Sequence, residues 1–296
     1  MTFPNFLIIG AQKAGTTSIY EYLSQHPDVF MSSVKEPHFF TYLHGTEFTN
    51  GDYSRFFRAD ATVTDVAAYE ALFADAGRKR AIGEASPSYI YSADAPRNIA
   101  DMIPDGKIIA IVRNPVDRAF SNYQMNWRLG QETLPTFEAA IDAEEQRIKD
   151  KWGYAWHYVN KGFYSLQIQR YRDLIPSDQI LVLFYDDLVG SPEAFMRSIY
   201  TFLNIDTTFT ADMSASSNVS GVPRNMLLAQ LFRPVMMTRK TWGPLMPDVV
   251  RHQLRKRLLT KSRMLPETRQ RLIATYRDDI LALQTVTGRD LSRWLS

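Results

Sequence analysis

Residues 6–18 read FLIIGAQKAGTTS, and that order of residue types leaves few folds open. Phe6 to Ile9 is an apolar run of the kind that fills a buried β-strand. Gly10 to Gly15 is a tight loop, and Thr16, Thr17 and Ser18 open a helix that continues through Ile19, Tyr20, Tyr22 and Leu23. A strand, a loop of small residues and a hydroxyl-rich helix start are the parts of an anion cradle. The N–H groups at a helix N-terminus and its dipole both favour a phosphate. Ala14 and Gly15 let the backbone come close to it, and Lys13 brings an ammonium to the same place. The common phosphate loop, G-x-x-x-x-G-K-[ST], carries its lysine after the second glycine. Here Lys13 precedes Gly15.

The pattern continues as an α/β chain. Buried strands are expected at Phe6–Gly10, Arg80–Glu84, Lys107–Val112 and Ile180–Tyr185. Unbroken apolar runs such as IIAIV and ILVLF suit a parallel sheet covered on both faces. Helical patterns lie between them, at Ala95–Ile103, Pro115–Leu129, Thr136–Lys151 and Tyr164–Leu174. Ser191-Pro192-Glu193 reads as N-cap, first-turn proline and dipole-matched acid for a helix ending at Leu203. Alternating strands and helices predict a single α/β domain with a central parallel sheet flanked by helices, like that of P-loop nucleoside triphosphatases. Residues 1–210 form its nucleotide-binding core. Residues 211–223 are small and polar, and 225–295 read as an all-helical cap of the same domain.

Composition narrows the chemistry. The 296 residues contain no cysteine, which excludes disulfides, thiolate–zinc sites and thiol nucleophiles. The five histidines (26, 38, 44, 157 and 252) lack the spacing of a zinc site, and no metal is implied. A formal charge of +2 does not call for nucleic acid. No apolar stretch approaches about 18 residues, so no membrane span is expected. The first strand begins within a few residues of Met1, so the expectation is a cytoplasmic protein without a signal peptide. Arg251 to Arg263 (RHQLRKRLLTKSR) reads as a solvated helix face, or as a basic surface for anionic substrate or peripheral membrane contact. Leu231–Met246, rich in Phe, Met and Trp, reads as core packing.

The segment after the strand at Lys107–Val112, RNPVDRAFSNY at 113–123, reads by itself as a salt-bridged loop or as a second anion site, and beside the first loop the second reading is favoured. The strand delivers Arg113 to its carboxyl end, Pro115 starts a helix, and Ser121 falls about two turns in. A guanidinium grips phosphate bidentately and a serine adds a hydroxyl donor. Two anion sites at the carboxyl ends of parallel strands fit a nucleotide with two separated phosphates.

GAQKAGTTS at 10–18, KEPHFF at 35–40, GEASPSYIY at 83–91 and RNPVDRAFSNY occur in the order seen in a known family. The chain resembles sulfotransferases that use adenosine 3′-phosphate 5′-phosphosulfate (PAPS). It looks most like the branch of heparan-sulfate and bacterial carbohydrate sulfotransferases. KGFYSLQIQRY (161–171), ILVLFYDDL (180–188), FLNI (202–205) and TGRDLSRWL (287–295) also fit. The resemblance implies that Lys13 touches the bridging oxygen and the sulfuryl group. Ala14, Gly15, Thr16, Thr17 and Ser18 would hold the 5′-phosphate, and Arg113 and Ser121 the 3′-phosphate. Glu36 matches the family's carboxylate base. Lys35 and His38 flank it, and Glu84 corresponds to a second acidic position facing the acceptor. A late basic loop is matched by SGVPRN at 220–225, with Arg224 on the nucleotide. The chain departs from the glycosaminoglycan enzymes at Thr41, where they carry Asp, and at Ala85, where they carry Lys.

The expected reaction is sulfuryl transfer from PAPS to a hydroxyl or amine of a carbohydrate or glycolipid, releasing adenosine 3′,5′-bisphosphate without a metal. A kinase-like nucleotide enzyme and a non-catalytic nucleotide-binding scaffold remain alternatives. Plainer readings also stand beside the site residues. Lys35 and Glu36 read as surface charges, His38 as a ring packed beside Phe39 and Phe40, and Glu84 as a carboxylate capping a turn. Tyr42, Phe48, Tyr53, Tyr89, Tyr91, Trp152 and Trp156 read either as the wall of an acceptor cleft or as ordinary packing.

Overall fold

The computed structural model describes residues 3–44, 62–214 and 263–296, together with the backbone of 222–223 and 259–260. Its centre is a five-stranded sheet made of β1 (Phe6–Gly10), β2 (Val29–Met31), β3 (Ala81–Ala85), β4 (Lys107–Val112) and β5 (Ile180–Phe184). The order is β2-β3-β1-β4-β5, and every pairing is parallel. The apolar runs explain the order. Phe6 to Ile9 and Ile108 to Val112 are fully enclosed, so β1 and β4 occupy the interior. β5 reads equally apolar, yet only Phe184 is buried, because β5 is an edge strand among the described residues. β2 is missing from the sequence reading, since three residues carry no period that distinguishes a strand.

The chain leaves β1 toward β2 and β3, then returns to β4 on the other side of β1. That reversal opens a crevice at the carboxyl ends of β1 and β4, where open α/β sheets hold their ligands. Helix α1 (Thr16–Leu23) follows β1. The single turn α2 (Phe39–Tyr42) and the helix α3 (Val66–Ala71) lie between β2 and β3. Helix α4 (Ala95–Met102) precedes β4, and α5 (Pro115–Arg128) follows it.

One close approach holds the sheet's centre. A Cβ added at Gly83 of β3 would lie 2.3 Å from Cζ of the buried Phe6 ring on the neighbouring strand. Gly83→Ala is expected to cost about 1–3 kcal/mol, the usual price of overpacking a core. Urea denaturation checks this, and an unchanged midpoint would show that the Phe6 ring steps aside.

Several boundaries differ from the expected ones. Thr136–Lys151 is two helices, α6 (Phe137–Asp142) and α7 (Glu144–Lys149), broken at Ala143. The break turns the Glu144 carboxylate inward, where it accepts from the Val159 and Asn160 N–H groups at 2.6 and 2.8 Å. Beyond it come α8 (Tyr164–Arg172), then α9 (Tyr185–Gly190), whose first residue the sequence reading gave to the strand β5, and α10 (Pro192–Leu203). Ser191 stands at the cap position of α10, but its side chain makes no capping bond. The all-helical expectation for 225–295 fails at Leu259–Thr260, a short strand antiparallel to Val222–Pro223. It holds for α11 (Pro266–Thr287), which packs on α8. Asp279 of α11 accepts from the N–H groups of Tyr164 and Ser165 at 2.8 and 3.1 Å. Leu231–Met246, Arg224 and all but the end of the basic stretch 251–263 lie outside the described residues, as do Phe48 and Tyr53. Tyr42, Tyr89 and Trp156 are core residues, so they do not wall a cleft.

Candidate active site

The buried run of β1 ends at a loop whose backbone is set by two left-handed residues, Lys13 (φ 73°) and Gly15 (φ 90°). Gly15 is needed twice over. Its φ suits glycine, and a Cβ there would lie 2.8 Å from Leu188 Cδ2 of α9. Gly15 also caps α1 without any side-chain bond, so the first-turn amides of Thr16, Thr17 and Ser18 are uncapped by a side chain. Thr16 and Ser18 are buried against the loop, Ala14 is fully enclosed beneath it, and Thr17 is exposed.

β4 delivers Arg113 to the same place. Its Nη1 donates to the Lys13 carbonyl at 3.1 Å, and its guanidinium stacks 4.6 Å from the Tyr185 ring. Asn114 accepts from the Val116 N–H at 3.0 Å and so starts α5. On that helix, Ser121, Met125 and Arg128 follow at spacings of four and three, which puts them on one face. The Lys13 ammonium reaches Met125 Sδ at 3.8 Å. A thioether is a weak acceptor. Burial, then Arg128, Arg113 and Lys35, push the Lys13 pKa down to about 8, against the opposing pull of Glu36. Among the described residues, Lys13 therefore shares its surroundings with three other cations, Arg128, Arg113 and Lys35, and with the Glu36 carboxylate.

That carboxylate sits in the turn after β2. Glu36 and His38 flank Pro37 and both have positive φ, 63° and 55°. Such backbone costs on the order of 1–3 kcal/mol per residue and persists where surrounding bonds impose it. Here the His38 N–H donates to Ser86 Oγ at 3.0 Å, and the Val63 N–H donates to the Pro37 carbonyl at 2.9 Å. Lys35 Nζ makes a short bond to Glu36 Oε1, and the Glu36 side chain remains 36% exposed. Burial raises its pKa, but Lys35, His38 and Lys13 together hold it below the ordinary carboxylate value. His38 is pushed down to about 4, chiefly by burial, so its ring is neutral near pH 7. Its Nδ1 lies 2.7 Å from Ser88 Oγ, which also meets Thr41 Oγ1 at 2.8 Å.

Glu84 was expected to face the acceptor, and the structure places it otherwise. It is fully buried at the end of β3, with Tyr69 Oη donating to Oε1 at 3.2 Å and Ser86 Oγ to Oε2 at 2.8 Å. Burial drives its pKa up to about 7, against the hydroxyl donors of Tyr89, Ser86 and Tyr69. Ser86 passes the connection on to the His38 N–H, so Glu84 braces the Glu36–His38 turn from behind.

The loops after β1, β2 and β4 thus bring Lys13, Lys35, Glu36 and Arg113 into one electrostatic environment. Sequence reasoning missed Arg128 and Met125, although their helical spacing from Ser121 was available. It also missed Ser86 and Ser88, which lie within the quoted segment GEASPSYIY.

A model described as the Sulfotransferase family matches residues 4–209. The chain belongs to the sulfotransferase family. It is 34% identical over 212 residues to the human bifunctional heparan sulfate N-deacetylase/N-sulfotransferase 2, a match covering 68% of this chain and 22% of that protein. It is 30% identical over 210 residues to the mouse heparan sulfate glucosamine 3-O-sulfotransferase 6, covering 70% of this chain and 54% of that one. The sulfotransferase thus spans about a fifth and about half of these two curated relatives. The crystal structure of a sulfotransferase from Alicyclobacillus acidocaldarius superposes with a TM-score of 0.79 at 30% identity, covering 100% of both chains.

Proposed function

We propose that this sulfotransferase moves a sulfuryl group from PAPS to a hydroxyl or amine of a carbohydrate or glycolipid acceptor. The observation that carries the reading is the convergence of Lys35, Arg113 and Arg128 on Lys13, in the loop that leads into helix amides no side chain caps, with the Lys13 ammonium held against only a thioether among the described residues. Such a site favours an anion, and a phosphosulfate supplies one. Family membership and the heparan sulfate relatives support the acceptor class.

The donor supplies an activated sulfuryl group whose S–O bond to the 5′-phosphate breaks as the acceptor oxygen or nitrogen attacks sulfur. The residues' work is positioning and electrostatics. The amides and hydroxyls of Thr16, Thr17 and Ser18 would hold the 5′-phosphate. Arg113 and Ser121 would hold the 3′-phosphate, and Lys13 would neutralise charge developing on the leaving oxygen. Glu36, ionised and open on one side, would take the proton of the attacking group. Lys35 keeps Glu36 ionised and aimed, while neutral His38 and Ser88 fix the far side of the turn.

Binding of adenosine 3′,5′-bisphosphate tests the reading. Calorimetry without magnesium should show binding to the wild type, and Arg113→Ala should weaken it by about 1.5–3 kcal/mol, the worth of a charge-assisted bond. Unchanged affinity would remove Arg113 from the site. A thermal shift with Mg-ATP but none with the bisphosphate would favour a kinase-like enzyme.

A further inference from the structure

We infer that Lys161 is a positioning residue for the anion loop, acting through Gln12. This rests on the reading of residues 10–18 as the donor's 5′ loop. Lys161 lies in a short helical turn, Asn160–Gly162, between α7 and α8, 149 positions away in sequence from Gln12. It is buried, at 6% exposure, and its Nζ lies 2.6 Å from Gln12 Oε1. Nothing in the proposed transfer uses it, yet burying an ammonium is costly unless it is paired and bonded.

The surroundings show how firmly it is held. Tyr276 Oη of α11 donates to the Val159 carbonyl at 2.8 Å, and Gln167 Nε2 donates to the Lys161 carbonyl at 3.3 Å. The Glu144 carboxylate binds the Val159 and Asn160 N–H groups from the other side. Arg118, fully buried on α5, is the nearby like charge, and with burial it pushes the Lys161 pKa well down against Glu144. The turn that carries Lys161 is thus fixed by α7, α8 and α11 together.

The contact has a direction. Because Lys161 takes the Gln12 oxygen, the amide's two N–H groups are left for a ligand. Gln12 immediately precedes Lys13, the residue with the left-handed backbone. Holding Gln12 therefore fixes both the loop and one neutral donor pair beside the ammonium. The expected consequence is that Lys161 touches no substrate and still sets donor affinity and turnover.

A double-mutant cycle tests this. Adenosine 3′,5′-bisphosphate affinity by calorimetry, and kcat and donor KM, are measured for wild type, Lys161→Met, Gln12→Leu and the double variant. Each single change should weaken bisphosphate binding about tenfold. The double should be no more than about twofold worse than either single, because both remove one coupled unit. Lys161→Gln, which keeps an N–H donor without the charge, should restore most of the affinity. A merely structural lysine would lower Tm with effects on binding that multiply with those of Gln12→Leu, and that result overturns the inference. So does an affinity within twofold of wild type for Lys161→Met. If Lys161→Met does not fold, the same cycle is run with Lys161→Gln, which should then lose little alone and add nothing to Gln12→Leu. A wild-type protein that binds no bisphosphate sinks the loop reading itself and this inference with it, whereas normal binding with uncoupled variants sinks only the inference.

Discussion

Glu36→Gln should lower single-turnover sulfuryl transfer by about 10²–10⁴-fold, the usual cost of losing a general base. Adenosine 3′,5′-bisphosphate affinity should stay nearly unchanged or improve, because the substitution keeps the side chain's shape and removes a carboxylate that faces Lys35 and Lys13. Three parallel variants decide the assignment. Glu84→Gln should reduce transfer far less, since its oxygen can still accept from Tyr69 or Ser86 and it only braces the turn. Lys35→Met should lower transfer by leaving Glu36 less firmly held. His38→Ala should fall between these, because it removes a neutral ring bonded to Ser88. If Glu36→Gln transfers at a near-normal rate while Glu84→Gln or His38→Ala stops, the base is the residue whose loss stops the reaction.

Lys13→Ala should cost about 10²–10³-fold in kcat, the magnitude found when a preorganised donor to developing charge is removed. Unlike Glu36→Gln, it should also weaken bisphosphate binding. The pH dependence separates this role from a structural one. The Lys13 pKa lies at about 8 in the free protein, lowered first by burial and then by Arg128 and Arg113. An anion binds the protonated ammonium better than the neutral amine. Affinity should therefore be full below about pH 8 and decline as pH rises through it. That inflexion should vanish in Lys13→Ala. A wild-type affinity that is flat from pH 7 to 9.5, with a folded protein throughout, would show that the Lys13 charge does not contribute.

Much of the frame was legible because its signals are local. β1, β4 and α1 begin and end close to where the residue types change, since a buried parallel strand must be apolar throughout and a glycine loop must follow it. Arg113 could be placed at a strand end for the same reason. β2, the break at Ala143 and the edge position of β5 were not legible. Each depends on a neighbour distant in sequence: β3 for β2, the Val159–Asn160 backbone for Glu144, and the absence of a further strand beyond β5 among the described residues.

The sequence alone determined the α/β class, the lysine-bearing anion loop and the family to which these motifs belong. These follow from short-range patterns and residue chemistry. Only the tertiary structure decided how the charges balance. Lys35 beside Glu36 and burial of the same carboxylate act in opposite directions, and sequence does not weigh one against the other. The fold settles it by bringing Lys13 from the loop after β1 toward the same carboxylate, leaving Glu36 ionised. It also parts two glutamates that read alike. Glu84 ends a central strand, where no water reaches it and hydroxyls enclose it, while Glu36 stands on a strained turn open to solvent. Electrostatic energy depends on distance and dielectric in three dimensions, and neither is a property of sequence position.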